Sequence, residues 1–301
     1  MTSNAAKLPL AIVTVTYSPG SHLQPWIESA RVATTCPVHI VLADNGSVDG
    51  VPEAAAADND DVHFVPTGGN LGYGSGMNVG VRHLAAARAA GEINPDYVLI
   101  SNPDVVFDEG SIDELLACAV RHPEAGAIGP YIAQHDGSAY PSARNIPTLG
   151  NGIGHALFGQ IWPANPWTAH YKAGENMDEE RIAGWLSGSC VLLRWEAFDA
   201  IGGFDERYFM YMEDVDLGDR LTRAGWVNIF CPTAVITHEV GHAAGKVPEK
   251  MLAAHHESAY RFQADRLIGF RNLPVRAVLW TGLRARLAIS IAVAKLRAAR
   301  R

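Results

Sequence analysis

A chain of 301 residues is long enough for one large α/β domain, or two small ones, with a substantial core. Its 48% apolar and 19% charged residues exclude disordered and collagen-like classes. The net charge of −8 hides an asymmetry: from Arg261 onward there are ten Lys and Arg against one acid, Asp265, so this segment carries +9 and the preceding 260 residues −17. An acidic body argues against nucleic acid as a partner, and a basic tail argues for an anionic surface, phospholipid or lipid phosphate. A solvated basic helix is the alternative for the tail.

Cys36, Cys118, Cys190 and Cys231 lack zinc-ligand spacing and are too few for a disulfide framework, which reads as reduced core thiols in a cytosolic protein. Met1 to Pro9 shows no signal-peptide pattern, and no uncharged apolar run approaches the roughly 20 residues that span a bilayer.

Residues 10–17, LAIVTVTY, read as a buried strand running into Ser18-Pro19-Gly20. Leu23 to Thr34 has helical spacing, and Val38 to Ala43 is a second strand, so the chain opens with a β-α-β unit of parallel strands. Val62-His63-Phe64-Val65 is a short strand, Gly76 to Ala90 an Ala-rich helix, and Tyr97 to Ser101 another buried strand. Ser111 is placed to cap the next helix, with Glu114 completing a capping box. About 135–180 reads as loops and short helices over the site. Strand and helix signals return from Ile182 to Ile236, and from Ala253 the pattern is helical apart from a break at Pro274.

In open α/β sheets ligands sit at the carboxyl ends of the strands, so the polar tips carry the candidate chemistry. Asp44 and Asp49 follow the second strand, where a carboxylate either accepts the imide N–H of uracil or thymine or closes an Asx-turn. The run Gly68 to Asn78 holds five glycines and precedes a helix, which suits close approach of backbone N–H groups to phosphate; it has no Walker lysine. Asn102-Pro103-Asp104 ends a strand with a carboxylate that can hold Mg²⁺ or Mn²⁺ or merely make a turn. Glu213, Asp214 and Asp216 are three acids in four positions, fit either for a general base of raised pKa or for a charged helix start; Asp216 and Arg220 are i,i+4 partners. His238 stands at a strand end as a metal ligand or a structural histidine.

Taken in order, Val15-Thr16-Tyr17, Ala43 to Ser47, Asn70-Leu71-Gly72, Asn102-Pro103-Asp104, Trp185 to Ser189, Gly202 to Glu206 and Phe209 to Leu217 resemble the family-2 inverting glycosyltransferases of GT-A fold. The resemblance implies a Rossmann-like α/β catalytic domain with a mostly parallel sheet over residues 1–240, followed by a helical, basic, membrane-associating extension over 241–301. It implies that Thr16, Tyr17, Asp44, Asn70, Gly72 and Asn78 lie around the nucleotide sugar. Asp104 and His238 would lie at a Mg²⁺ or Mn²⁺ ion, and Asp214, beside Glu213, would be the catalytic base. Trp185, Ser187, Gly188, Ser189 and Arg144 would line the acceptor side. Asn102 departs from the family's DxD metal motif and thins the ligand set.

Tyr140 to Arg144 and the basic tail are similar to family members that move L-rhamnose. That similarity implies dTDP-L-rhamnose as donor and the 3-hydroxyl of N-acetylglucosamine on decaprenyl diphosphate, a polyprenyl carrier, as acceptor in cell-wall arabinogalactan linker synthesis. It also implies a cytoplasmic enzyme peripheral to the inner face of the membrane, its oligomeric state left open. The same fold with a UDP-hexose donor is the nearest alternative. A nicotinamide oxidoreductase fails because the glycines do not follow the first strand, and a non-catalytic sugar- or lipid-binding module is disfavoured by Asp104 and Glu213-Asp214.

Overall fold

A computed structural model describes residues 7–134, 138–148, 150, 176–238 and 248–298. Most of the loop region read over 135–180 lies outside the described residues. The opening β-α-β unit forms as its pattern dictates: β1 (Leu10–Thr16), α1 (Leu23–Val32) and β2 (Val38–Asp44), with β1 and β2 parallel and in register from Leu10↔Val38 to Thr16↔Asp44. α2 (Val51–Asp58), β3 (Val62–Pro66), α3 (Tyr73–His83), α4 (Ala85–Ala89) and β4 (Tyr97–Ser101) extend it. The Ala-rich helix starts at Tyr73 and breaks at Leu84, so the first turn takes in residues assigned to the glycine loop.

Beyond β4 the topology turns mixed. β5 (Val105–Phe107), α5 (Ser111–Arg121) and β6 (Ala125–Ala133) lead to three two- or three-residue strands, β7 (Ala139–Tyr140), β8 (Ala143–Arg144) and β9 (Arg181–Ala183). Then come β10 (Trp185–Leu186), β11 (Cys190–Arg194), α6 (Trp195–Ala200), α7 (Glu213–Arg223) and β12 (Val227–His238). The main sheet runs β3-β2-β1-β4-β11-β6-β12-β5, with β7 on β6 and β9 on β12, while β8 and β10 pair separately. β11 lies antiparallel between β4 and β6, β5 antiparallel to β12, and β6 parallel to β12. This geometry brings the ends of β1, β2, β4 and β12 and the starts of β5 and β11 to one edge.

Helices cover both faces, which explains the unbroken apolar runs. Leu10 and Ile12 face the layer of Trp26, Ile27, Ile112 and Leu115, while Ala11 and Val13 face that of Met77, Val81, Leu217 and Leu221. Glycines let α3 lie close to the sheet: a Cβ on Gly80 would come 2.4 Å from Val13 Cγ1, and one on Gly76 2.8 Å from Val15 Cγ2. Within the glycine run read as a phosphate cradle, Gly76 thus serves helix–sheet packing, whereas a Cβ on Gly68 or Gly69 would meet nothing within 4 Å. The capping box does not form. Gly110, at φ 75°, is the N-cap and Ser111 is the first helical residue, while Glu114 accepts from the Thr233 hydroxyl at 3.1 Å.

All four cysteines are free. Cys118 and Cys231, distant in sequence, meet beside Glu180 with ligand atoms within 4.8 Å of one another, and Glu180 is held by Arg121 and His122. After β12 come α8 (Pro248–Ala264) and α9 (Leu273–Ala298), the break falling just before Pro274. Phe262 of α8 is fully buried against Tyr208 and Val215, which ties the helical segment to the α7 side of the body. Among the described residues no helix is long and apolar enough to cross a membrane.

Gly72 sits at φ 87°, and a Cβ there would stand 1.9 Å from the carbonyl oxygen of Phe209; Gly68, at φ 88°, has nothing within 4 Å. Gly72→Ala is expected to cost more than about 2 kcal/mol and Gly68→Ala about 1 kcal/mol, the left-handed backbone penalty alone, as read from urea unfolding midpoints. Equal losses would show that the Phe209 contact yields freely.

Candidate active site

The edge opens with the first two strand tips. Thr16 is buried and its hydroxyl donates to Asp44 Oδ1 at 2.7 Å; the same carboxylate accepts from the Ser47 hydroxyl at 2.5 Å and from the Gly46 and Ser47 N–H groups at 2.9 Å. Asp44 therefore closes an Asx-type turn, and these bonds hold its carboxyl below the ordinary carboxylate range despite burial. Tyr17, 58% exposed, is the open aromatic face beside that turn. Exposed Asn70 accepts from the Gly72 N–H at 3.2 Å, and Gly72 accepts from the Asn45 amide at 2.9 Å. Asn78, expected among the nucleotide residues, is placed otherwise. It is buried, its amide donates to Phe204 O at 2.8 Å, and its oxygen accepts from Phe204 N at 2.9 Å, so both ends clamp the Gly202–Glu206 loop.

The antiparallel pairing of β5 with β12 sets Val105 against His238 and so brings Asp104 beside it: His238 Nε2 lies 3.1 Å from Asp104 Oδ1 and 3.4 Å from the Asn102 amide. His238 Nδ1 is buried without a hydrogen-bond partner among the described residues. An imidazole nitrogen and a hard carboxylate oxygen are donors that suit a Mg²⁺ or Mn²⁺ ion.

Glu213 and Asp214 begin α7, where the helix dipole favours anions. The turn before them is strained, with Tyr211 at φ 68° and Met212 at φ 67°. Asp214 is half-buried; its Oδ2 accepts from Gly188 N at 3.1 Å and its Oδ1 from Val215 N at 2.8 Å. Burial outweighs these bonds and raises its pKa. Glu213 is buried, its Oε2 lacks a partner among the described residues, and burial followed by the Asp214 charge pushes it up to about 8. Burial thus favours the neutral form of Glu213, and Asp214 holds the more open position. Asp216 is instead a structural ion pair with Arg220 at 2.6 Å.

The Ser187-Gly188-Ser189 loop joins these parts. Ser187 N donates to Ser142 O at 2.7 Å, Gly188 N reaches Asp214, and Asn102 N donates to Ser189 O at 2.9 Å. Trp185 pairs with Arg144 across the β10–β8 ladder, and its indole donates to Asn145 O at 3.2 Å. A residue the motifs did not single out sits among them. Tyr73 donates its hydroxyl to Gly188 O, and burial followed by the Glu213 and Asp214 charges raises its pKa. Its one visible mark in the sequence is an aromatic side chain between Gly72 and Gly74.

A strand-tip edge facing a paired-acid helix start across a Gly-Ser loop is the arrangement of a GT-A fold. The profile described as "Glycosyltransferase like family 2" matches residues 8–255, and the chain belongs to that family. It is 51% identical over 93% of its length, and 91% of the relative's, to an N-acetylglucosaminyl-diphospho-decaprenol L-rhamnosyltransferase of Mycobacterium tuberculosis. An Escherichia coli rhamnosyltransferase is 27% identical over 68% of this chain and 75% of its own. Among solved structures, a mannosyltransferase of Pyrobaculum calidifontis in complex with GDP-Man and Mn²⁺ shares the fold at TM-score 0.56 and 14% identity, over 98% of this chain and 81% of that one.

Because burial favours the neutral form of Glu213, Glu213→Gln is expected to keep kcat within about threefold of wild type. The raised carboxyl means that the folded state binds a proton the unfolded state releases between the ordinary glutamate pKa and about 8, so wild-type stability falls as pH rises through that window. Glu213→Gln should therefore be the more stable protein at pH 8, by denaturant midpoint, with the gap closing toward pH 4.5. A gap independent of pH would show that Glu213 is ionised in the fold.

Proposed function

We propose that this chain transfers L-rhamnose from dTDP-L-rhamnose to the 3-hydroxyl of N-acetylglucosamine carried on a polyprenyl diphosphate, with inversion at the anomeric carbon. The observation that carries the reading is the 51% identity, over nearly the full length, to a decaprenol-linked rhamnosyltransferase. Asp214 suits the base: its carboxylate is half-open, held by Gly188 N–H beside the acceptor loop, and of raised basicity. It takes the proton of the acceptor hydroxyl as that oxygen attacks the anomeric carbon, and the bond from that carbon to the dTDP oxygen breaks. Burial favours the neutral form of the adjacent Glu213, which disfavours a second negative charge there.

Asp104 and His238 would hold a Mg²⁺ or Mn²⁺ ion, with Asn102 adjacent; when bound, such an ion stabilises negative charge on the departing diphosphate. Tyr17, Asn70 and the Asp44 turn line the nucleotide side, with Thr16 and Asp44 shaping it from beneath. Trp185, Ser187, Ser189 and Arg144 line the acceptor side, next to the Gly188 peptide.

The basic helical extension lies on the anionic inner face of the membrane, where a lipid-linked acceptor is presented. Support comes from exposed apolar residues interleaved with arginines: Phe270 and Val278 are 77% and 74% exposed, next to Arg271 and Arg276.

With dTDP-L-rhamnose and a polyprenyl-diphosphate N-acetylglucosamine, wild type should release dTDP, and Asp214→Asn should lower kcat by at least about 10²-fold while leaving dTDP binding intact. Retention of a tenth of wild-type kcat would remove Asp214 as base, and turnover of UDP-hexoses in preference to dTDP-L-rhamnose would overturn the donor. Asp104→Ala and EDTA should each weaken dTDP binding measured calorimetrically; binding unchanged by either removes the metal from the reading.

A further inference from the structure

α8 has two working faces. His255 meets the Tyr211 ring edge-on at 5.5 Å, the Ser258 hydroxyl donates to Met210 O at 2.9 Å, and Phe262 is buried against Tyr208. That face holds the strained turn that leads into Glu213 and Asp214. The other face and α9 enclose a cleft of about 400 Å³. Its walls include Arg261 from α8 and Arg276, Trp280, Leu283, Arg284 and Leu287 from α9, the last five at helical spacing.

We propose that this cleft binds the phosphate of an anionic membrane phospholipid; the proposal rests on the membrane-facing reading of the extension and assigns it a defined site. Among the described residues no carboxylate lies within 4 Å of Arg261, Arg276 or Arg284, although nine other Arg and Lys side chains do form ion pairs. Arg261 and Arg284 instead lie over the Tyr208 and Trp280 rings, at 5.9 Å and 5.3 Å from the centroids. Two acids reach the cleft. Asp265 is held by Arg207 at 2.6 Å, which leaves exposed Glu257 alone against three arginines. Arginines gathered in a concavity where cations outnumber acids attract an anion, and the guanidinium fork matches phosphate oxygens.

The apolar half of the wall decides which anion. Trp280, Leu283 and Leu287 lie beside the arginines, and Leu273, on the same side of that helix, is 56% exposed. A free phosphate has no use for that surface; a lipid with its acyl chains in the bilayer does.

The test uses the full chain and vesicles of phosphatidylglycerol or phosphatidylcholine, with binding read by co-sedimentation. Arg284 and Arg286 are both exposed on α9, two residues apart, but only Arg284 lines the cleft. Diffuse surface attraction is worth about 1 kcal/mol per basic residue, or about fivefold, and would weaken Arg284→Gln and Arg286→Gln alike. The site predicts that Arg284→Gln loses at least about fivefold more affinity for phosphatidylglycerol than Arg286→Gln does. Equal losses overturn the cleft while leaving the membrane reading intact, whereas wild type that ignores phosphatidylglycerol vesicles overturns both. Release of wild type by millimolar inorganic phosphate at constant ionic strength assigns the cleft to a free anion and overturns the lipid.

Discussion

The Gly188 peptide is the contact on which the site depends. Its N–H donates to Asp214, its carbonyl accepts from the Tyr73 hydroxyl, and the neighbouring Ser189 carbonyl accepts from Asn102 N. Three elements distant in sequence, α3, α7 and the end of β4, are thereby fixed around one loop. The absence of a side chain is part of the fit: a Cβ on Gly188 would lie 3.2 Å from Tyr73 Cε1 and 3.5 Å from Asp214 Cβ. The loop stands at this edge because β11 runs antiparallel to β4, so its start, not its end, meets Asn102.

Around that contact the protein holds groups that work against stability. Glu213 is buried without a partner for one oxygen among the described residues, and Tyr211 and Met212 occupy left-handed backbone that costs about 1–2 kcal/mol each without glycine. The turn persists because it is fixed on both sides. Phe209 O accepts from Tyr73 N at 3.1 Å, Met210 O accepts from Ser258, and Met212 O accepts from Asp216 N at 2.8 Å. The strain presents two acids side by side at a helix start, and the burial favours the neutral form of one of them.

The parts of the fold with local causes were legible in the sequence. β1, α1, β2 and β4 follow from apolar runs and turn residues, and the order of motifs points to the family. At Asp44 the sequence context allows a turn or a ligand, and the four donors that hold its carboxylate in a turn come into view only in the structure. Asn78 follows a glycine-rich run and so resembles a ligand, yet its partner, the Phe204 backbone, is 126 residues away. The glycines at 76 and 80 speak of packing against β1, which a phosphate loop and a close helix would encode alike. Tyr211 and Met212 carry no local mark, because tertiary contacts impose their conformation.

The acceptor's chemistry sets a further constraint on how these parts relate. A polyprenyl chain is confined to the bilayer, so on the proposed function the acceptor sugar would reach Asp214 only if the domain stood at a fixed height and tilt. A loosely attracted basic tail gives proximity without orientation. α8 can supply orientation, because one of its faces holds the Met210–Tyr211 turn and the other lines the arginine cleft. A lipid phosphate seated in that cleft would act on the same rigid helix that braces the catalytic turn, so membrane contact and placement of Asp214 would share one element. On that proposal the charge asymmetry between tail and body would serve alignment: an anionic surface that held the tail would repel the acidic body, which would favour a single standing pose over a tumbling one.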